Sequence, residues 1–232
     1  MPIIADTVSQ LAVDGLPVLF IDTCILLDII RAPQRKLSGC VRAAVELAEM
    51  QDQSICRIVA SSMIQKEWET YQQKVIGELN DHLELRDQDA VAFHEACDGV
   101  QLSISFGKPS YESAGLAVKL RDLSAKLLSK AVHLLPSDET KSKATDRTLS
   151  CIRPARKGGG LQDCIIIEEY LEVSRLLQAA GFSKKRVFCT SNAEDYQDGR
   201  QLHKTLADEF SAVGLVFTNS FPWLLSELNR TT

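Results

Sequence analysis

The chain has 232 residues, 26 Lys and Arg against 31 Asp and Glu, a formal net charge of −5, and 45% hydrophobic and 25% charged residues. These values exclude a disordered or collagen-like chain and allow one well-filled core. The mild acidity argues against charge-driven coating of nucleic acid over a broad surface, and leaves room for a local basic strip. The 7 Cys are odd in number and none has CxxC spacing, which points to reduced thiols rather than a disulfide framework or a thiolate zinc site. No apolar run approaches the roughly 20 residues of a membrane helix, and the N-terminal residues lack a signal-peptide pattern. The expectation is a cytoplasmic protein with no membrane contact.

In chain order, the apolar run Val18-Leu19-Phe20-Ile21 after Pro17 reads as a buried strand. Asp22-Thr23 follows, and Cys24 to Ile30 is apolar at near-helical spacing, closed by Pro33. Val41 to Met50 reads as a helix with Val41, Ala44, Val45 and Ala48 on one face. Ile55 to Ala60 is a second strand, and Ser61-Ser62 caps a helix from Met63. The charged, amphipathic stretch to about Cys97 reads as one or two helices, with a break near Gly77. Gly107 to Ser110 is a turn. Tyr111 to Leu135 reads as a helix along Leu116, Leu120, Leu123 and Leu127, ended by Pro136.

Residues 136–160 change character. Lys141, Lys143, Arg147, Arg153, Arg156 and Lys157 face only Asp138, Glu139 and Asp146, so the stretch is locally basic in an acidic chain. It ends in Gly158-Gly159-Gly160, which lacks the Gly-Lys-Ser/Thr ending of a phosphate-binding loop, and reads as a mobile basic loop with a glycine hinge. Leu161 to Ala180 is a helix with Gly181 past its end. Val187-Phe188-Cys189 is a third strand, Thr190-Ser191-Asn192 a turn, Gln201 to Ala212 a helix, Gly214 to Phe217 a fourth strand, and Pro222 to Leu228 a short terminal helix. Strands alternating with helices predict an α/β fold: a central, mostly parallel sheet of four or five strands flanked by helices.

Ligands of an open parallel sheet bind at the carboxyl ends of its strands. Asp22 follows the first strand and Thr190, Ser191, Asn192 and Asp195 follow the third. Glu67 lies early in the helix after the second strand, and Asp163 lies in the first turn of the helix after the Gly run. Four converging carboxylates repel each other unless a cation neutralises them, and hard oxygen donors suit Mg²⁺ or Mn²⁺. Simple helix capping is the bland alternative for Asp22, Asp163 and Asp195. Asp28 reads as structural, Glu168 and Glu169 as a solvated face. His82, His94, His133 and His203 share no metal-ligand spacing.

This pattern resembles the PIN-domain ribonucleases. The residues that carry the resemblance are Phe20-Ile21-Asp22-Thr23 with Leu26-Leu27-Asp28, then Glu67, then Gly160-Leu161-Gln162-Asp163, then Cys189-Thr190-Ser191-Asn192 with Asp195. It implies one PIN-like domain over residues 1–232 with a helical insertion and basic loop at about 70–157. It also implies a metal-dependent endoribonuclease, with Asp22, Glu67, Asp163 and Asp195 as catalytic and metal-binding residues. Thr190, Ser191 and Asn192 would orient those ligands or touch the phosphate, and Arg153, Arg156 and Lys157 would meet the RNA. The alternative is a catalytically inactive scaffold binding RNA or protein. The inserted helices leave open a homodimer face or an antitoxin-like protein partner. A haloacid-dehalogenase phosphatase is disfavoured, because Cys24 stands where that class needs its second Asp.

Overall fold

The computed structural model describes residues 4–102, 110, 114–155 and 160–229. Its elements are α1 (Ile4–Asp14), β1 (Val18–Ile21), α2 (Thr23–Arg35), α3 (Cys40–Asp52), β2 (Arg57–Ser61) and α4 (Ser62–Gly99). They continue with α5 (Leu116–Ser129), β3 (Val132–Leu134), α6 (Asp138–Leu149), α7 (Leu161–Ala179), β4 (Arg186–Cys189) and α8 (Ala193–Tyr196). Last come β5 (Gln197–Asp198), β6 (Gln201–Leu202), α9 (Lys204–Ala212), β7 (Leu215–Thr218) and α10 (Phe221–Asn229).

The central sheet has five strands in the order β3-β2-β1-β4-β7, every pair parallel. The predicted α/β class and its parallel sheet are therefore present, at the upper of the two strand numbers. Every residue of β1 and of β4 is buried. Helices must then cover both faces, as parallel sheets require. Helices α4 and α5 pack on α2, α10 on α3, and α1 and α6 on α7. Phe188 of β4 centres the aromatic core, its ring centroid 5.3 Å from Tyr196, 5.5 Å from Tyr170 and 6.1 Å from Phe210.

Several expectations are corrected. Helix α2 runs through Pro33 to Arg35; the proline costs one hydrogen bond near the helix end, where few remain to lose. Helix α4 is a single 38-residue helix with no break at Gly77, whose exposed face meets no neighbour. The helix expected to continue to Leu135 ends at Ser129, and Val132–Leu134 pairs with β2 as the edge strand β3. The span 70–157 thus supplies a strand of the sheet as well as helices. Residues 138–149, expected to be a mobile loop, form α6, capped by Ser137 Oγ, which accepts from Thr140 N at 3.0 Å. Gln201 and Leu202 belong to a two-stranded antiparallel ribbon rather than to the following helix. The expected turn at 107–109 lies outside the described residues, as do Gly158 and Gly159.

The chain adds β1, β2 and β3 outward on one side, then returns to place β4 and β7 on the other. The strand order therefore reverses between β1 and β4, and a crevice for ligand opens at their carboxyl ends.

Candidate active site

Asp22 directly follows β1 and caps α2. Its Oδ1 accepts from Thr23 N at 2.6 Å, and its Oδ2 accepts from Thr190 Oγ1 at 2.6 Å. The second bond crosses the switch point, because Thr190 directly follows β4. Asp22 is 4% exposed, and burial pushes its carboxyl above the ordinary range against the pull of these donors. Thr190 Oγ1 also accepts from Asn192 N at 3.1 Å, and Asn192 Nδ2 donates to Asp195 Oδ2 at 2.6 Å. One hydrogen-bonded chain thus runs from Asp22 through Thr190 and Asn192 to Asp195.

Glu67 enters from the other side. Ser61 Oγ caps α4 by accepting from Met63 N at 3.2 Å, and Glu67 sits in the turn that follows. Its Oε2 accepts from Thr23 Oγ1 at 2.6 Å. Burial, and then the Asp22 charge, raise its carboxyl, opposed by the Thr23 bond. Asp163 is the third residue of α7, which begins after Gly160 at φ 99°, a backbone region that glycine enters without strain. Its carboxyl is pushed up to about 7, by burial first and then by the charges of Asp22, Asp195 and Glu67. The four acids therefore share one electrostatic field. Among the described residues, Asp22, Glu67 and Asp163 make no ion pair. No three His, Cys, Asp or Glu side chains among the described residues stand close enough to grip an ion as placed.

A family model described as PIN domain matches residues 19–196, most of the chain. The chain belongs to the PIN-domain family. PIN domains are in general nucleases that usually use divalent metals. Comparison with curated proteins finds no match, and neither does comparison with solved structures.

Three residues of this PIN domain organise the acids in roles that the sequence alone did not assign them. Thr23 holds Glu67, as above. Cys24 Sγ donates to Asp22 Oδ2 at 3.2 Å and accepts from Ser191 N at 3.2 Å, so the thiol ties the two sides of the crevice. Burial and the Asp22 charge raise that thiol well above its usual range, which keeps it a donor. Tyr170 is fully buried; its hydroxyl donates to Ile21 O at 2.7 Å and accepts from Ser61 N at 3.1 Å. Tyr170 follows Asp163 by seven residues, about 20° from its azimuth, and helical side chains lean toward the N-terminus. The phenol therefore fixes the rotation of the helix that presents Asp163. Thr23 and Cys24 were legible as hydroxyl and thiol beside an acid. No local sequence signal marks Tyr170.

The basic segment is corrected in part. Lys141 pairs with Asp138 at 3.1 Å and Lys143 with Glu139 at 2.8 Å. Arg147 is buried: its Nε meets Glu168 Oε1 at 2.6 Å, its Nη2 Glu209 Oε1 at 2.8 Å and its Nη1 the Arg153 carbonyl at 2.5 Å. Arg153 Nη1 donates to Glu194 O at 3.0 Å, beside Asp195. Arg156 and Lys157 lie outside the described residues. Asp28 is structural, paired with Arg35 at 2.8 Å.

Neither Glu168 nor Glu169 lies on a solvated face. Glu168 pairs with Arg147, and Glu169 is fully buried with neither Oε atom within hydrogen-bonding geometry of a partner among the described residues. Burial pushes the Glu169 carboxyl up to about 7. A carboxyl raised in the folded state stabilises below its unfolded pKa and loses that contribution as pH rises through about 7. Glu169→Gln is thus expected to gain about 5 °C in Tm over the parent between pH 5.5 and pH 8.5. Thermal unfolding in EDTA at both pH values checks this. An equal Tm difference at both pH values shows that the carboxyl ionises at pH 8.5 without penalty.

Proposed function

We propose that this PIN domain is a metal-dependent ribonuclease, cleaving RNA internally by hydrolysis of phosphodiester bonds. The observation that supports this most is the carboxyl of Asp163, pushed up to about 7 by burial and then by the charges of Asp22, Asp195 and Glu67 at the sheet's switch point. Such a set of hard oxygen donors, with Asp22, Glu67 and Asp163 lacking a cationic side-chain partner among the described residues, fits Mg²⁺ or Mn²⁺ by its chemistry. Their present spacing among the described residues is not a closed cage, so holding an ion would require these side chains to draw together.

A bound divalent ion supplies charge stabilisation at the scissile phosphate and a more acidic water nucleophile. The chain's own residues do the rest. Asp22, Asp163 and Asp195 are the proposed ligands, with Glu67 as a further ligand or as acceptor for a water proton. Thr23 keeps Glu67 Oε2 occupied and aimed, while Thr190 and Cys24 fix Asp22 Oδ2. Asn192 aims Asp195. Ser191 is held by its backbone N–H, leaving its hydroxyl for a phosphate. Arg153, Arg156 and Lys157 are proposed RNA contacts.

The deciding experiment incubates end-labelled single-stranded RNA with the protein in Mn²⁺, in Mg²⁺ and in EDTA. Internal cleavage is expected with either metal and none in EDTA, and Asp22→Asn is expected to lose it. RNA binding without cleavage in any metal would establish the inactive scaffold instead. The open spacing of the acids is the observation that favours that second reading.

A further inference from the structure

A cavity of about 440 Å³ opens where the end of α2 and the start of α5 meet α4, within the size range of small-ligand sites. Three of its described lining residues are basic, Lys36, His82 and Arg86, and the others are apolar. None of them is acidic, in a chain whose formal net charge is −5. His82 lies fifteen residues beyond Glu67 on α4, about 22 Å along the helix axis. The cavity is therefore separate from the acids.

The cations there have little other use. Lys36 caps α2 at φ 55° and ψ 41°, the left-handed region where glycine or asparagine is the cheaper residue. Its backbone N–H closes the helix by donating to Ala32 O, so the cap asks nothing of the side chain. The ammonium makes no ion pair among the described residues. His82 is half-buried and has neither a hydrogen bond nor an ion pair among the described residues. Arg86 stands one helical turn on, on the same face as His82. Its Nη1 donates to Asp89 at 3.1 Å, an exposed contact that contributes little and leaves most of the guanidinium donors open. α2 ends and α5 begins at this cavity, so the two helix-end fields oppose each other and the side chains set its sign. Cations gathered without a counter-charge repel one another, and an anion relieves that. The remaining wall is the buried Leu83 with the half-buried Pro33, Ala90 and Leu116, and it offers no polar side chain.

We propose that this cavity binds a small phosphate monoester with an apolar body. Lys36, His82 and Arg86 take the phosphate, and the body lies against Leu83, Pro33 and Leu116. Three terminal phosphate oxygens match three donor residues, with the lysine as a point charge and the arginine as a fork. A carboxylate has two oxygens and leaves one donor idle. A nucleotide brings a ribose and a base whose polar groups find no partner on the apolar wall, which costs affinity. The site does not depend on the ribonuclease reading. Its ligand joins α2 to α4 at a second point, the first being the bond from Thr23 to Glu67 beside the acids.

Isothermal titration calorimetry of the full chain in EDTA tests this with phenyl phosphate, inorganic phosphate, phenol and adenosine monophosphate. Phenyl phosphate is expected to bind once per chain. Inorganic phosphate lacks the body and phenol the charge, so each is expected to bind at least about tenfold more weakly. Adenosine monophosphate is expected to bind more weakly than phenyl phosphate. Lys36→Asn with Arg86→Gln is expected to weaken phenyl phosphate at least about tenfold, the size of one lost charge-assisted hydrogen bond. Asparagine tolerates the left-handed backbone at position 36, and an unchanged Tm separates lost binding from lost folding. Ala90→Glu, which sets a negative charge on the lining, is expected to abolish binding independently. A parent that does not bind phenyl phosphate, or variants that bind it as tightly as the parent, overturn the site. Adenosine monophosphate or inorganic phosphate binding as tightly as phenyl phosphate overturns the ligand class.

Discussion

Asp163→Asn is expected to lower RNA cleavage by at least about a hundredfold, since a lost metal ligand removes several kcal/mol of charge stabilisation. The same change should stabilise the metal-free protein at high pH. The Asp163 carboxyl is pushed up to about 7, above its unfolded value. Between those values the folded chain binds the extra proton, so this group's contribution is full in acid and lost as pH rises through 7. In EDTA, then, the variant's advantage over the parent in Tm should grow from pH 5 to pH 8. Added Mn²⁺ reverses the order, because a ligand that binds only the folded state raises its stability. It should also raise the parent Tm more at pH 8 than at pH 6, where it must displace a proton. Identical melting of parent and variant with saturating Mn²⁺ at pH 8 would remove Asp163 from the metal site.

Arg147→Met is expected to cost about 3 kcal/mol, a drop of roughly 6–12 °C in Tm for a chain of this length. The guanidinium joins three elements and a backbone carbonyl from a site where its side chain is 6% exposed. Its removal leaves Glu168, 13% exposed, with a buried charge and no partner, and Glu209, 31% exposed, only partly rescued by water. That places the cost at the lower end for a broken buried pair. The orphaned charges rather than the lost packing should dominate. Adding Glu168→Gln and Glu209→Gln to Arg147→Met should therefore recover most of the loss. If the triple variant melts no higher than Arg147→Met alone, packing of the arginine stem is the main term instead.

How far the chain could be read without coordinates depended on whether burial used apolar side chains. The β1, β2, β4 and β7 strands are continuous apolar runs, and their parallel sheet followed from alternation with helices. Helix α6 escaped because its buried stripe is Thr140, Ala144 and Arg147, two polar residues and an alanine. Hydrophobic periodicity cannot see such a face; only the Ser137 cap marks it. Strand β3 escaped because its three residues continue a leucine-rich run, and tertiary pairing with β2 overrode the helical pattern. Helix α1 was legible in Ile4, Thr7, Val8 and Leu11, spaced as one helical face, though the sequence reading began at Val18. In the site, acids at strand exits could be named from position alone. Their holders could not, because Tyr170 reaches the ends of two strands that lie far away in sequence.

The bond from Thr190 to Asp22 spans 168 residues, and it sets when during synthesis the acids can come together. As the chain leaves the ribosome, β1 is made early with Asp22, and Glu67 follows on α4. The neighbour that β1 needs on its other edge, and the hydroxyl that aims Asp22, are made only when translation reaches β4. Asp163 and Asp195 bracket that same late stretch. A nascent chain therefore carries two of the four acids on an unfinished sheet while residues 68–162 are made. The RNA-cutting centre proposed for it stays unassembled until β4 and the residues through Asp195 have been made.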